Sequence, residues 1–304
     1  MDDPMQNRAA SSRQPLGAAR RPPHSFGPGR MELGLYGLNL RAGYHLLAAR
    51  RWMRGLRYLA EPVSYWRSLE FRLVWEHGNF RAGERVLDVG SPKPFSLYLA
   101  RSVGAVVDST DIEDYFMDEF SLLRDATGVP AEQMPLRVED GRHLSYADCQ
   151  FDKVYSVSVL EHIPDDGDSE CARELGRVLA PGGSCLLTVP FWPTSRDVYR
   201  KPNFYWSGVS GPEQEGLVFF QRRYSADDLQ RRLIEPSGLV AEKVLYVGER
   251  VMTRSQDELA SIMPRVGLGP VHPLISRAFH TRATDDWTAL KKPLCAFLKL
   301  TKPA

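Results

Sequence analysis

Three aspartates stand at one kind of place in this chain of 304 residues. Asp88 sits in Arg85-Val86-Leu87-Asp88-Val89-Gly90, Asp111 closes the run that begins at Ala105, and Asp140 closes Leu136-Arg137-Val138-Glu139. Short apolar runs that end in an acid or a glycine read as buried parallel strands whose C-terminal ends open on a turn. Open α/β sheets bind their ligands at those ends, so the three carboxylates are expected to border one elongated crevice. Ionised carboxylates only accept hydrogen bonds. Such an edge therefore suits a ligand with several donors: a ribose diol, an amine, an adenine amino group. Asp111 lies 111 − 90 = 21 residues beyond Gly90, about the spacing at which an acid meets the ribose in nucleotide-binding βαβ units. Gly90 would let the backbone turn sharply and come close to that ligand.

The elements that must position these acids alternate along the chain. After Gly90, Phe95 to Ser102 has the spacing of a short helix, and Ala105 to Asp111 forms the second strand. A helix around Met117 to Thr127 and a third strand from Leu136 follow, and Phe151 to Leu160 is a fourth strand rich in β-branched residues. Ser169 to Leu179 is helical by period and stops at Pro181-Gly182-Gly183, before a fifth strand over Ser184 to Val189. The stretch from Phe191 to Gln221 is read as an irregular, aromatic-rich loop. Ser225 caps a helix to about Ile234, Leu239 to Val247 is a sixth strand, and Leu294 to Lys299 a seventh. Strands alternating with helices imply a mostly parallel sheet covered on both faces.

Ahead of this unit the chain differs in character. Residues 1–30, rich in Pro, Gly, Ser and Arg without apolar period, read as a disordered tail. Residues 31–80 read as an N-terminal helical cap broken at Pro62, and residues 81–304 as the ligand-binding domain, with insertions at 191–221 and 251–290. In the cap, Trp52, Leu56 and Leu59 share one face, while Arg50, Arg54 and Arg57 share the other. Two readings fit: a helix packed on the domain with a solvated arginine face, or a basic amphipathic helix that lies on a membrane surface or grips a phosphorylated substrate.

Lys and Arg number 39 against 38 Asp and Glu, so there is no strongly basic face for nucleic acid. The four cysteines form no C-x-x-C pair, which argues against a zinc cluster and for reduced thiols. No apolar run reaches the roughly 20 residues of a bilayer span, and no secretory signal opens the chain, so a cytoplasmic protein without stable membrane insertion is the expectation, with peripheral contact through residues 41–59 left open.

These motifs, taken in order, resemble the class I S-adenosylmethionine-dependent methyltransferases, from about Arg81 to Phe191 and again through the last two strands. VLDVGS resembles the family's first motif, VEDGRHL with FDKVYSVSVLEHI its adenine-side segment and fourth strand, and RELGRVLAPGGSCLLTVPF the helix, turn and fifth strand of its small-molecule, ubiquinone/menaquinone-methyltransferase-like branch. The resemblance implies a Rossmann-like three-layer α/β sandwich whose seven-stranded, mostly parallel sheet has its last strand antiparallel. It also implies S-adenosylmethionine as cofactor, with Asp88, Gly90 and Ser91 at the methionine part and Asp111 at the ribose. Ile112, Asp140, Gly141 and Ser158 complete the expected cofactor contacts. Glu161 and His162, directly after the fourth strand, are the expected catalytic pair. His162 is the better candidate base because its ordinary pKa lies near neutrality. Tyr205, Trp206 and Phe220 are expected to stack on the acceptor and Arg222 to hold an anionic group of it.

The chain departs from the family at one point. Gly90 is followed by Ser-Pro-Lys-Pro-Phe rather than further glycines, and Pro92 and Pro94 offer no amide N–H. A sulfonium cofactor has no phosphates to cradle, so the change weighs more heavily against a dinucleotide. A short-chain-type NAD(P)-dependent oxidoreductase would also want Tyr-x-x-x-Lys, which no tyrosine here satisfies. Val189-Pro190 at the end of the fifth strand supplies no carboxylate, so no metal is expected. The reading is a methyltransferase acting on a small metabolite, glycan precursor or lipid-like acceptor; the alternative is a non-catalytic cofactor-binding regulator or scaffold, favoured by the two prolines.

Overall fold

A computed structural model describes residues 29–201, 212–250 and 269–304. The tail read over residues 1–30 lies outside the described residues but for Gly29 and Arg30, as do the first 18 residues of the insertion at 251–290. Seven strands form the main sheet: β1 (Arg85–Val89), β2 (Val106–Asp111), β3 (Leu136–Val138), β4 (Phe151–Val157), β5 (Leu179–Pro190), β9 (Val240–Gly248) and β10 (Pro293–Thr301). Between β5 and β9 come β6 (Arg196–Arg200), β7 (Glu213–Gln214) and β8 (Leu217–Arg223). The main sheet runs β3-β2-β1-β4-β5-β10-β9, with β10 antiparallel to both neighbours and β1 to β5 mutually parallel. Strand order reverses at β1, so the crevice at the C-terminal ends of β1, β2 and β4 is where a ligand of such a sheet binds.

Alternation along the strands divides the core into two layers. Val86, Val107, Tyr155, Val157 and Phe297 pack beneath α1 (Arg30–Ala48), α3 (Tyr65–Gly78), α4 (Pro94–Tyr98) and α5 (Met117–Ala126). Leu87, Val89, Val154, Leu187 and Leu298 face the other way. There they meet α6 (Gly167–Val178) and a continuous helical run, Ala226–Asp228, Leu229–Ile234 and Glu235–Ser237, called α7 here. A sheet covered on both faces is the three-layer sandwich the sequence implies.

Three segments differ from the sequence expectation. The helix after Gly90 loosens into a π-turn at Leu99–Val103 and ends at Gly104 in the left-handed region. Pro181-Gly182-Gly183 does not separate helix from strand: β5 begins at Leu179, and the turn bulges out where the pairing with β4 jumps from Phe151↔Leu179 to Lys153↔Ser184. The stretch read as an irregular loop contains a second antiparallel sheet, β6-β8-β7, because Val198, Tyr199 and the Leu217-to-Phe219 run find cross-strand partners.

The cap consists of α1, α2 (Trp52–Ala60) and α3. Ser64 caps α3 by accepting from the Arg67 amide, and Asn79 ends it in the left-handed region. α1 and α2 cross glycine on glycine: a Cβ on Gly55 would stand 2.8 Å from the Gly43 carbonyl oxygen. That approach, and not the Trp52–Leu56 stripe, holds α2 down.

Candidate active site

β1 delivers Asp88 to the sheet edge with its side chain turned into the protein. It is fully buried. Its carboxylate accepts from the Ser91 amide (3.1 Å) and from the hydroxyls of Ser96 and Ser109 (2.9 Å to Ser109). Gly90 follows at φ +68°, and a Cβ there would meet Val159 Cγ1 at 2.7 Å, so both the conformation and the space demand glycine. Ser91 Oγ accepts from the Val157 amide (2.9 Å), tying the turn to the end of β4.

Lys93 then folds back under this turn. It is 3% exposed, and its ammonium donates to the carbonyls of Ser91 (2.8 Å) and Thr110 (2.6 Å). The same nitrogen stands 3.5 Å from Asp88 Oδ2 and 3.5 Å from Asp111 Oδ2 and lies over the Phe116 ring. Two of the three expected acids are thus bridged by one buried cation. Burial holds the Asp111 carboxyl above its ordinary range and the Lys93 charge opposes it. Asp111 also accepts from the Tyr115 hydroxyl and the Glu113 amide at 3.5 Å each. Ile112, beside it, leaves an apolar side chain half exposed.

Asp140 keeps to itself along the same edge. Arg142 binds it two-pronged (2.7 Å from Nη2, 3.0 Å from Nε), and these hydrogen bonds hold its carboxyl below the usual range. Gly141 packs so close to α6 that a Cβ would meet Cys171 Sγ at 3.0 Å. Between the turn from Ser91 to Pro94 and the cap lies a cavity of ≈ 290 Å3, lined among others by Arg54, Arg57, Arg67, Ser91, Lys93 and Tyr115 and by none of the three acids.

At the end of β4 a second cluster forms. Ser158 adopts φ +52° and donates its hydroxyl to Glu70 of α3, whose other oxygen takes Arg67 at 2.6 Å. Glu161 is 1% exposed with Oε2 lacking a hydrogen-bond partner, and burial pushes its carboxyl up to about 8. Burial likewise pushes the His162 imidazole down to about 4. Its Nδ1 lies 2.6 Å from the Phe220 carbonyl, which can only accept, so Nδ1 carries the hydrogen and the lone pair sits on Nε2. Nε2 is 3.8 Å from Glu161 Oε1. With those pKa directions both groups are mainly uncharged near pH 7, so the contact is not an ion pair.

The expected acceptor residues fare differently. Tyr205 and Trp206 lie outside the described residues. Phe220 is held between His162 (ring centroids 5.1 Å apart) and the Arg200 guanidinium (3.6 Å above the ring). Arg222, expected to hold an anionic group, is instead spent inside the protein: it donates to Asp168 (2.7 Å), Asp197 (3.0 Å) and the Asp165 carbonyl. Asp168 also takes Arg232 and the Tyr224 hydroxyl, making a buried knot between α6 and β8. Lys93, Glu70 and Arg67 were not foreseen. Only the prolines around Lys93 hinted that its turn was unusual.

Fold and edge together define a Rossmann-like α/β protein with a crevice at the C-terminal ends of β1, β2 and β4. Residues 87–187 match the family model described as a methyltransferase domain, about a third of the chain. Methyltransferase GfsG of Streptomyces halstedii is 35% identical over 120 residues, 38% of this chain and 40% of that protein. The ubiquinone biosynthesis O-methyltransferase of Pseudomonas syringae pv. tomato is 28% identical over 172 residues, 57% of this chain and 68% of the relative. A solved geranyl diphosphate methyltransferase in complex with SAM shares the fold at TM-score 0.51 and 12% identity, covering 78% of this chain and 85% of that one.

Proposed function

We propose that the protein transfers a methyl group from S-adenosylmethionine to a small acceptor: a metabolite, a glycan precursor or a lipid-like compound. The observation that carries this reading is the placement of Asp111, acid at the end of β2, beside Gly90 at the point where strand order reverses. The donor set fits the adenosyl half of the cofactor. Asp111 offers acceptors for hydroxyls, Ile112 an apolar face for a base, and Asp140 with Gly141 an acceptor edge and close backbone for an amino group. Asp88 takes a positioning role, since its oxygens are already engaged by the turn that Ser91 and Gly90 make. When bound, the cofactor supplies an activated methyl on a sulfonium, so orienting the acceptor accounts for most of the acceleration asked of the protein.

The β4 cluster supports that orientation. His162, its ring oriented by the Nδ1 bond to Phe220, is the residue proposed to take a hydrogen bond from an acceptor hydroxyl or amine. Glu161, mainly protonated near neutrality, places a donor beside it and keeps a second anion away from the acceptor. Ser158 belongs to the same cluster through Glu70. Phe220 offers the ring edge nearest this pair. Tyr205 and Trp206 stay in the proposal as stacking residues.

The test is twofold: calorimetric titration with S-adenosylhomocysteine, then transfer of labelled methyl from S-adenosylmethionine across a panel of small acceptors. Absence of S-adenosylhomocysteine binding would remove the reading altogether. A specific observation favours a second one, a cofactor-binding scaffold without turnover: the Lys93 ammonium already satisfies Asp111, and Pro92 and Pro94 remove amides from the turn. Binding without transfer to any acceptor in the panel would select it.

A further inference from the structure

The cap carries a surface that methyl transfer does not use. From Leu33 to Ala60 the chain holds Arg41, Arg50, Arg51, Arg54 and Arg57 and no aspartate or glutamate. All five arginines are exposed. Arg51 and Arg54 reach Asp118 (4.0 Å) and Glu119 (3.5 Å) of α5; Arg41, Arg50 and Arg57 have no ion-pair partner among the described residues. At about 100° per residue, α2 divides into three arcs. Gly55 and Leu59 lie against Gly43 of α1. Arg54 and Arg57 border the cavity. The arc between them holds Trp52, Met53 and Leu56, which are 60%, 81% and 54% exposed, with Tyr44 of α1 at 68%.

The direction of that apolar arc is the informative point. A helix that only packs on its domain turns such residues inward; here the glycine crossing fills the inward side, and the large apolar side chains face water. Tryptophan, methionine and leucine beside arginines, on a segment that itself carries no acid (its acidic contacts Asp118 and Glu119 come from α5), are the composition of a helix that lies in a membrane interface. We propose that the α1–α2 edge docks on an anionic lipid bilayer surface, with Trp52, Met53 and Leu56 entering the headgroup region and Arg41, Arg50 and Arg51 meeting lipid phosphates. Charge complementarity selects this occupant: a neutral apolar partner gives the arginines nothing to meet, and a second copy would set the same five positive charges against their equivalents. Arg54 and Arg57 place the docked edge next to the ≈ 290 Å3 cavity, so a lipid-like acceptor would enter it from the bilayer side. That last step rests on the methyl-transfer reading; the docking itself does not.

Flotation of the full chain with vesicles tests the proposal, using phosphatidylcholine alone and an equimolar mixture of phosphatidylcholine and phosphatidylglycerol. The protein is expected to float with the mixed vesicles, to float little with neutral ones, and to be released by high salt. Met53→Glu or Leu56→Glu should lower binding at least ~10-fold, and Arg50→Ser or Arg51→Ser ~5-fold each, the expected share of one arginine near an anionic surface. Unchanged melting curves for these exposed variants establish that they fold. No flotation with the anionic vesicles, or flotation unaffected by Met53→Glu, overturns the proposal. So does a dimer in sedimentation that Met53→Glu dissociates, since the face would then belong to a second copy. S-adenosylhomocysteine titration run beside it separates the two readings: flotation without cofactor binding retains the docking surface and removes the methyl-transfer reading.

Discussion

Replacing Lys93 with methionine isolates the cation that bridges the candidate cofactor acids. Methionine keeps most of the apolar stem and removes only the ammonium. What is lost is explicit: hydrogen bonds to the Ser91 and Thr110 carbonyls at 2.8 and 2.6 Å, and charge contacts to Asp88 and Asp111 at 3.5 Å each. Removing one partner of a buried pair costs about 3–5 kcal/mol, because the other charge remains buried without compensation. Asp111 retains some access to water, its side chain being 12% exposed, so the lower end applies, about 3 kcal/mol. For a chain of this size that corresponds to a fall in melting temperature of about 5 °C. Calorimetry of wild type and Lys93→Met, with and without S-adenosylhomocysteine, measures it. Because Asp111 would lose the charge that opposes its burial, its carboxyl should rise further, and ligand binding by the variant should weaken toward acid pH more steeply than in wild type. A variant that melts with wild type would refute the argument, showing that the ammonium is solvated and the bridge absent in solution.

Asp111→Ala should weaken S-adenosylhomocysteine binding by about 1–3 kcal/mol, the cost of leaving ligand donors unpaired, read by isothermal titration. The β4 cluster makes stability depend on pH through two opposing groups whose windows overlap. Glu161 titrates near 8 when folded against about 4.3 unfolded, so the folded protein holds the extra proton between those values and stability declines as pH rises through them. His162 titrates near 4 when folded against about 6.5 unfolded, so there the unfolded chain holds the extra proton and stability climbs with pH. Below about pH 6.5 the two slopes oppose and largely cancel. In melting temperature, Glu161→Gln should therefore lose the decline between about pH 6.5 and 8 and uncover a climb between about pH 4 and 6.5, while His162→Asn should extend the decline down to about pH 4.3. Asp168→Ala removes the buried anion that Arg222 and Arg232 share, leaving them Asp197 and Asp166 at the rim, and a loss of about 3 kcal/mol in denaturant unfolding, the low end for a broken buried pair, is expected.

Much of the sheet was legible because strand period, glycine turns and acids recur in a fixed order. Asp111 could be placed from its spacing to Gly90 alone. The burial of Asp88 could not, since a period of two says which face a side chain takes but not whether serines from two other segments wait there. Lys93 was invisible for a related reason: nothing local marks a lysine whose ammonium folds back onto carbonyls of its own turn and of the neighbouring strand. In α2 the apolar stripe was read correctly as a stripe, yet periodicity does not say which side faces the domain, and the contact went through Gly43 and Gly55. Arg222 looked like an anion ligand from composition; its partner Asp168 is 54 residues distant, and only the folded chain brings them together.

β10 lies between β5 and β9, with Phe297, Leu298 and Leu300 at the bottom of both core layers. A ribosome delivers that strand after every other element of the sheet. Until residues 293–301 emerge, β5 keeps one edge unpaired and β9 has no neighbour in the sheet, and unpaired edges are where strands mispair. β9 can therefore join the sheet only once β10 has been made, so this side of the sheet is completed after the crevice at the ends of β1, β2 and β4.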